Sequence, residues 1–219
     1  VFVTGTGTEV GKTVVAAVIA RTLAAEGKTV AVFKPAVTGL DEDGEPDHAL
    51  LRRAAGSEQR DEEIAPYRYG PPASPHLAAA LGGEEIEPGR LLAAARDAAA
   101  SADTLVCEGV GGLLVPLSDG YLVRDFAADL SLPVVIAASP GLGTINHTLL
   151  TIEATRAAGL KVVAVVLTPW PAEPSAIERS NRETIESLAA ISVKTLPRLK
   201  LDDPRSWNVD WRLMRHMDA

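Results

Sequence analysis

The chain has 219 residues, 47% apolar and 23% charged, which is enough aliphatic material for the core of one domain. A formal charge of −8 with no basic run excludes a nucleic-acid surface, and no apolar stretch approaches the roughly 18 residues of a membrane span. Cys107 stands alone, which excludes an intramolecular disulfide and predicts a reducing, cytoplasmic location. The chain opens at Val1 inside a strand, without a methionine or a signal peptide, so a few native residues are expected to precede it.

Val1–Thr4 reads as a short buried strand, and Lys12–Glu26 as the helix that follows it. Between them lies Gly5-Thr6-Gly7-Thr8-Glu9-Val10-Gly11-Lys12-Thr13. A glycine-rich turn from strand to helix that ends Gly-Lys-Thr is a phosphate cradle, with backbone N–H groups pointing at the ligand. The helix N-terminus adds roughly half a positive charge and the lysine a full one. The Thr13 hydroxyl can reach a magnesium ion bridging the phosphates. The usual loop has four residues between its first glycine and the Gly-Lys pair, whereas this one has five, Thr6 to Val10. The expectation is a nucleoside triphosphate site.

Further strands are predicted at Thr29–Lys34, Thr104–Glu108, Pro133–Ala138, Val162–Leu167 and Ser192–Leu196. Helices are predicted at Asp47–Ala55, Pro88–Ala100, Leu122–Leu130, Thr144–Ala158 and Pro174–Ala190. Residues 40–47 form an acidic loop, and Pro66 to Pro75, with four prolines, an irregular connection. In Thr144–Ala158, the residues Ile145, Leu149, Ile152 and Thr155 or Arg156 mark an apolar face turning polar. Trp207, Trp211 and Met214 have helical spacing and read as packing. Short apolar strands alternating with helices predict a single α/β domain over residues 1–219. It is of the P-loop type, with a mostly parallel β-sheet and helices on both faces.

Ligands of such sheets sit at the carboxyl ends of the strands. There the chain delivers Lys34 and Thr38, then Glu108 with Gly109-Val110-Gly111-Gly112, then Gly141-Leu142-Gly143-Thr144, and finally Thr168-Pro169-Trp170. Glu108 suits a magnesium site, unless it is simply a solvated strand-end carboxylate. Asp47 is either a helix N-cap or a third oxygen ligand beside Thr13 and Glu108. Lys34 closes a strand expected to lie beside the phosphate loop. A second ammonium there implies a second anion, unless the side chain snorkels to the surface. Thr38 could hydrogen-bond that anion. Thr144 reads as an N-cap, and the amides after it form either a second anion cradle for a substrate carboxylate or an ordinary helix start. His48, His147 and His216 have no convincing partner spacing, and no zinc-like Cys/His cluster exists.

Five blocks in order across residues 1–160 resemble the dethiobiotin synthetases: the lengthened loop Gly5–Thr13, Phe33-Lys34-Pro35-Ala36-Val37-Thr38-Gly39, Ser74-Pro75-His76, Cys107-Glu108-Gly109-Val110-Gly111-Gly112-Leu113, and Leu142-Gly143-Thr144-Ile145-Asn146-His147. The resemblance implies a homodimeric, magnesium-dependent ligase of biotin biosynthesis. It would join 7,8-diaminopelargonate, CO₂ and ATP through a carbamate and a carbamic–phosphoric anhydride. By position it makes Lys12 and Lys34 catalytic and gives Thr13, Asp47 and Glu108 to the metal. Nucleotide contacts fall to Thr8, Glu9, Val10, Gly11, Lys12, Thr13, Val14, Glu108, Gly109, Val110, Gly111, Thr168, Pro169, Pro197, Arg198 and Leu199. Substrate contacts fall to Thr38 and, across the dimer interface, to Gly143, Thr144 and Asn146.

Two positions depart from the family pattern. Thr168 stands where an asparagine usually reads adenine, so weak base selectivity is expected, with Trp170 packing near the base to compensate. Arg205 replaces an acidic residue near the nucleotide. The competing readings are a partner-switched ATPase like the chromosome-partitioning and septum-site proteins, or a non-catalytic regulatory domain of the same fold. The loop has no lysine before Lys12, as the switch ATPases would require.

Overall fold

The structure, a computed structural model, describes residues 1–207, so the expectations for Trp211, Met214 and His216 lie outside it. In chain order the elements are β1 (Phe2–Gly5), α1 (Lys12–Ala25), β2 (Val30–Phe33), β3 (Ala36–Val37), α2 (Asp47–Ala55), α3 (Asp61–Ile64), β4 (Tyr67–Arg68), α4 (Pro75–Leu81) and α5 (Pro88–Ala100). There follow β5 (Thr104–Glu108), β6 (Pro116–Ser118), β7 (Tyr121–Leu122), α6 (Val123–Leu130), β8 (Val134–Ala138), α7 (Thr144–Ala157), β9 (Val162–Trp170), α8 (Ala176–Ala189) and β10 (Val193–Pro197).

Six strands form one parallel sheet in the order β10-β9-β8-β1-β5-β2. Side chains alternate across a strand, and here both faces are apolar. Val1, Val3, Val30, Val32, Val106, Val135 and Val166 point into one layer with α1 and α2. Phe2, Ala31, Phe33, Leu105, Cys107, Ile136 and Leu167 point into the other, against α5 to α8. This two-sided burial explains why the strands read as continuous aliphatic runs. It also explains why Cys107 is fully buried, which pushes its thiol well above the ordinary range. Among the described residues no helix is long and apolar enough to cross a membrane.

The six predicted strands and six predicted helices are all present, with ends shifted by a few residues. Three details differ. The strand that ends before Lys34 is not beside β1: β5 lies between them, and β2 is the sheet edge. Not expected were the short helices α3 and α4 and two short strand pairs, β3–β4 and β6–β7, all too brief to show a period. In α7 the fully buried stripe is Thr144, Thr148, Ile152 and Thr155, while Ile145 and Leu149 are half-buried on the same layer. Threonine substitutes for an apolar residue because its hydroxyl is satisfied locally, as in the 2.6 Å bond from Thr155 Oγ1 to the Thr151 carbonyl.

The three phenylalanines of the chain meet at one point. Phe126 packs edge-on to Phe2 at 6.2 Å and tilted to Phe33 at 6.1 Å, tying α6 to two strands. Phe126→Ala is therefore predicted to lower unfolding free energy by about 3–5 kcal/mol in denaturant titrations, with an unchanged m-value. A loss under about 1 kcal/mol would show that this contact does not anchor the layer.

Candidate active site

The lengthened loop closes tightly on itself. A Cβ on Gly5 would lie 2.6 Å from Val10 Cγ2 and 2.8 Å from Lys12 Cγ, so only glycine fits where β1 turns. Glu9, a non-glycine, lies in the left-handed region at φ 58°, and Gly11 follows at φ 86°. Gly11 occupies the N-cap position of α1 with no side-chain cap, leaving the first amides of the helix to an anion. Lys12 Nζ donates to the Gly7 carbonyl at 2.7 Å, folding back over the cradle.

Beside this cradle lies a charge cluster built from three elements. Lys34 Nζ contacts Glu108 Oε1 at 2.6 Å and Asp47 Oδ2 at 2.8 Å. Thr13 Oγ1 lies 2.8 Å from Glu108 Oε1 and 2.9 Å from Asp47 Oδ1. Lys34 is 4% exposed and Glu108 fully buried, so neither the snorkelling lysine nor the solvated carboxylate is realised. Asp47 is the first residue of α2 after an N-cap at Pro46, so its carboxylate is not a cap.

The protonation tendencies follow from burial and pairing. Burial acts against the Lys34 charge, but Glu108 and Asp47 outweigh it and hold the ammonium above the usual lysine range. Burial pushes Glu108 up against the pull of Lys34, while Lys34 and Thr13 bring the less buried Asp47 down despite its own desolvation. Lys12 is lowered to about 8, mainly by burial, with Lys34 adding repulsion against the pull of Glu108. Lys12 therefore senses Lys34, and an anion between the two would relieve Lys12.

The oxygen set fits a magnesium ion. Cis ligands of an octahedral ion with bonds of 2.0–2.1 Å stand about 2.9 Å apart, and the Thr13 hydroxyl lies at that distance from each carboxylate. Glu108 Oε2 is buried without a hydrogen-bond partner, a free acceptor at the same point. Among the described residues no cluster of three or more His, Cys, Asp or Glu could cage a metal.

A cavity of about 610 Å³ opens over the cluster. Its walls include Thr8, Glu9, Gly11, Lys12, Thr13, Val14, Lys34, Thr38, Asp47, Glu108, Val110 and Gly111. A groove of similar size, about 630 Å³, lies between α3 and α5, where Arg60 pairs with Glu62 and Glu63.

Several expected residues lie elsewhere. Val10 packs into the α1 layer and over Gly5. Gly109 donates to the Val3 carbonyl and abuts Val123 and Phe2, a packing position. Thr168 is buried with its methyl facing Gly11, where a Cβ would stand 2.6 Å away, and it precedes Pro169 through a cis peptide bond. Pro197, Arg198 and Leu199 are not cavity walls, whereas Leu201, two residues further on, is. Trp170 packs against the layer of α7 and α8, not into the cavity, so the structure gives no support to its stacking on a base there. Arg205 is exposed and bonded to Asp203. Glu42, Glu45 and Leu50 also line the cavity, and nothing in the sequence marked them beyond the acidity of residues 40–47.

The second glycine turn stands apart. Gly143, at φ 89°, is the N-cap of α7, and Thr144 is the first helical residue rather than the cap. Thr144 is buried, its hydroxyl 3.4 Å from that of Thr148. Gly143 and Asn146 are exposed, and Leu142 is 95% exposed. Asn181 on α8 pins this turn, its amide donating to the carbonyls of Pro140 at 3.0 Å and Gly141 at 3.1 Å.

A family profile described as an AAA domain matches residues 1–200. The chain is 44% identical over 192 residues to an ATP-dependent dethiobiotin synthetase of Rhodococcus erythropolis, covering 87% of this chain and 84% of that one. It is 34% identical over 219 residues to the Bacillus velezensis enzyme of the same name, covering 100% and 94%. Among solved structures, a nucleotide-binding protein of Archaeoglobus fulgidus in complex with ADP aligns at TM-score 0.52 and 16% identity, covering 96% of this chain and 89% of that one. The signal recognition particle 54 kDa protein of Aeropyrum pernix, in complex with GDP, aligns at 0.51 and 14%, covering 94% and 44%. These structural likenesses concern the fold alone.

Two outcomes follow from the geometry. Glu108→Gln leaves Lys34 buried with a single full counter-charge and is predicted to cost about 3–5 kcal/mol of stability. Adding Lys34→Met should make the pair cost less than the sum of the single changes, and strict additivity in the double-mutant cycle would refute the coupling. Trp170→Ala is predicted to lower the melting temperature while leaving triphosphate affinity within about twofold. A tenfold loss, about 1.4 kcal/mol, would place the indole against the base after all.

Proposed function

The chain belongs to the dethiobiotin synthetase family, and from that premise we propose how its residues divide the work. It is an ATP-dependent ligase of biotin biosynthesis that closes the ureido ring of dethiobiotin by forming C–N bonds. The observation that carries the assignment of roles is the second buried lysine. Nucleotide binding needs only Lys12, yet Lys34 brings another ammonium to the same cavity and holds it there with Glu108 and Asp47.

CO₂ adds to one amine of 7,8-diaminopelargonate, giving a carbamate. A carbamate oxygen attacks the γ-phosphoryl group of the triphosphate and ADP leaves. The neighbouring amine then attacks the anhydride carbon, closes the ring and expels phosphate. Lys34 and Lys12 hold the carbamate and the transferring phosphoryl between two positive charges, and Thr38 contacts the substrate. This is catalysis by positioning and by charge placed in advance, which phosphoryl transfer chiefly needs. Magnesium, held by Thr13, Asp47 and Glu108, would neutralise charge on the phosphates. The amide cradle of Gly143, Thr144 and Asn146 receives the substrate carboxylate from a partner protomer in a homodimer. The exposure of that turn, Leu142 included, supports this assignment. The location of the enzyme is the cytoplasm.

Thr168 offers the base one hydroxyl, and in the structure its methyl group packs on the phosphate loop. Triphosphates other than ATP are therefore expected to serve. The partner-switched ATPase and the regulatory domain have no observation in their favour.

Labelled bicarbonate should enter an acid-stable product only when diaminopelargonate, magnesium and a triphosphate are all present, and chelation should abolish incorporation. CTP and GTP should support it within about tenfold of ATP, a selectivity of 1.4 kcal/mol or less. Lys34→Ala should keep nucleotide affinity within several-fold and lose at least about 100-fold in turnover, the scale of one electrostatic contact. Near-normal turnover would refute the role given to Lys34.

A further inference from the structure

After β10 the chain crosses back over α1 and α2 instead of running out from the sheet. Trp207 packs into the layer of α1, and its indole donates to the Lys200 carbonyl at 2.7 Å. This return brings Leu201 to the cavity over the phosphate loop.

One side chain fixes the returning segment. Arg53, in the last turn of α2, donates from Nη2 to the Leu201 carbonyl at 2.7 Å and from Nη1 to the Asp202 carbonyl at 2.6 Å. The same guanidinium grips Glu45 through both carboxylate oxygens, Nε to Oε1 at 3.2 Å and Nη2 to Oε2 at 2.5 Å. Glu45 belongs to the acidic loop, and Glu45 and Leu201 are both walls of the cavity. A single planar fork thus joins α2, the acidic loop and the returning segment around the opening of one pocket. A lysine could not do this, because it lacks the rigid array of five donors.

We propose that Arg53 is a positioning residue for the nucleotide: it latches the segment 200–203 and the acidic loop as walls of the pocket and so sets how tightly the triphosphate is held. The proposal rests on the reading that this cavity holds the triphosphate. An isolated surface ion pair contributes little. Here the guanidinium also binds two backbone carbonyls, so its removal frees a segment that a bound nucleotide would then have to order. Arg53 does not touch the cluster of Lys34, Asp47 and Glu108, so the chemical step should not depend on it.

The test is binding of a fluorescent ATP analogue, with steady-state kinetics and hydrogen exchange alongside. Arg53→Ala is expected to weaken binding and raise the KM for ATP by about tenfold, chiefly through faster release. The kcat and the KM for diaminopelargonate should stay within about twofold, and the amides of residues 199–203 should exchange faster. Arg53→Lys should restore little. Glu45→Ala, which leaves Arg53 on the carbonyls, should weaken binding by about threefold and keeps the test open if Arg53→Ala folds poorly. A lowered melting temperature with unchanged nucleotide affinity in both alanine variants would overturn the latch and make Arg53 a structural residue of α2. Failure of the parent protein to bind the analogue would overturn the nucleotide reading itself, and the latch with it.

Discussion

The site depends on keeping the Lys34 ammonium charged inside the protein. A buried, unpaired ammonium would lose its proton or unfold its surroundings. Lys34 escapes this because Glu108, from the end of β5, and Asp47, from the start of α2, both contact it. Thr13, from the start of α1, bonds the same two carboxylates. The ends of two strands and the starts of two helices are thereby fixed to one another by a few oxygens around one nitrogen. The phosphate cradle, the oxygen set for a metal and the second cation are held in register by the same contacts.

That arrangement also accounts for the charge economy of an acidic protein that binds anions. The chain carries −8 overall, yet its two buried lysines are focused on one cavity. Lys12 is destabilised as a cation by burial and by Lys34, whereas Lys34 is stabilised by its carboxylates. Lys34 is thus held charged by protein carboxylates, whereas Lys12 is the lysine whose charge an incoming triphosphate would favour.

Much of this was legible in the sequence because its signals are local. Gly5 to Thr13 is a contiguous motif, and each buried strand is an aliphatic run bounded by turns. Lys34, Asp47 and Glu108 were singled out from strand-end and helix-start positions, and they do meet. Strand order was not legible: β5 inserts between β1 and β2, a consequence of crossovers that no local pattern encodes. The cap at Gly143 was misread as Thr144 because threonine is the commoner cap, whereas here a left-handed glycine takes that place and the hydroxyl turns inward. Trp170 looked available to a base because it follows a strand end, but β9 continues through it and the ring joins the core layer. Arg53 and Asn181 escaped notice for a common reason. Both bind backbone carbonyls of distant segments, and such partners leave no residue pattern to find.

The central claim is that the second anion beside Lys34 is a carbamate whose oxygen attacks the γ-phosphoryl group. Oxygen transfer from carbon dioxide to phosphate tests it most directly. With ¹⁸O-labelled bicarbonate, diaminopelargonate and unlabelled ATP, mass analysis of the released phosphate should find one heavy oxygen per molecule, at the enrichment of the carbon dioxide pool. Phosphate formed with dethiobiotin but free of label would contradict the account, because the carbamate oxygen would then never have met the phosphorus.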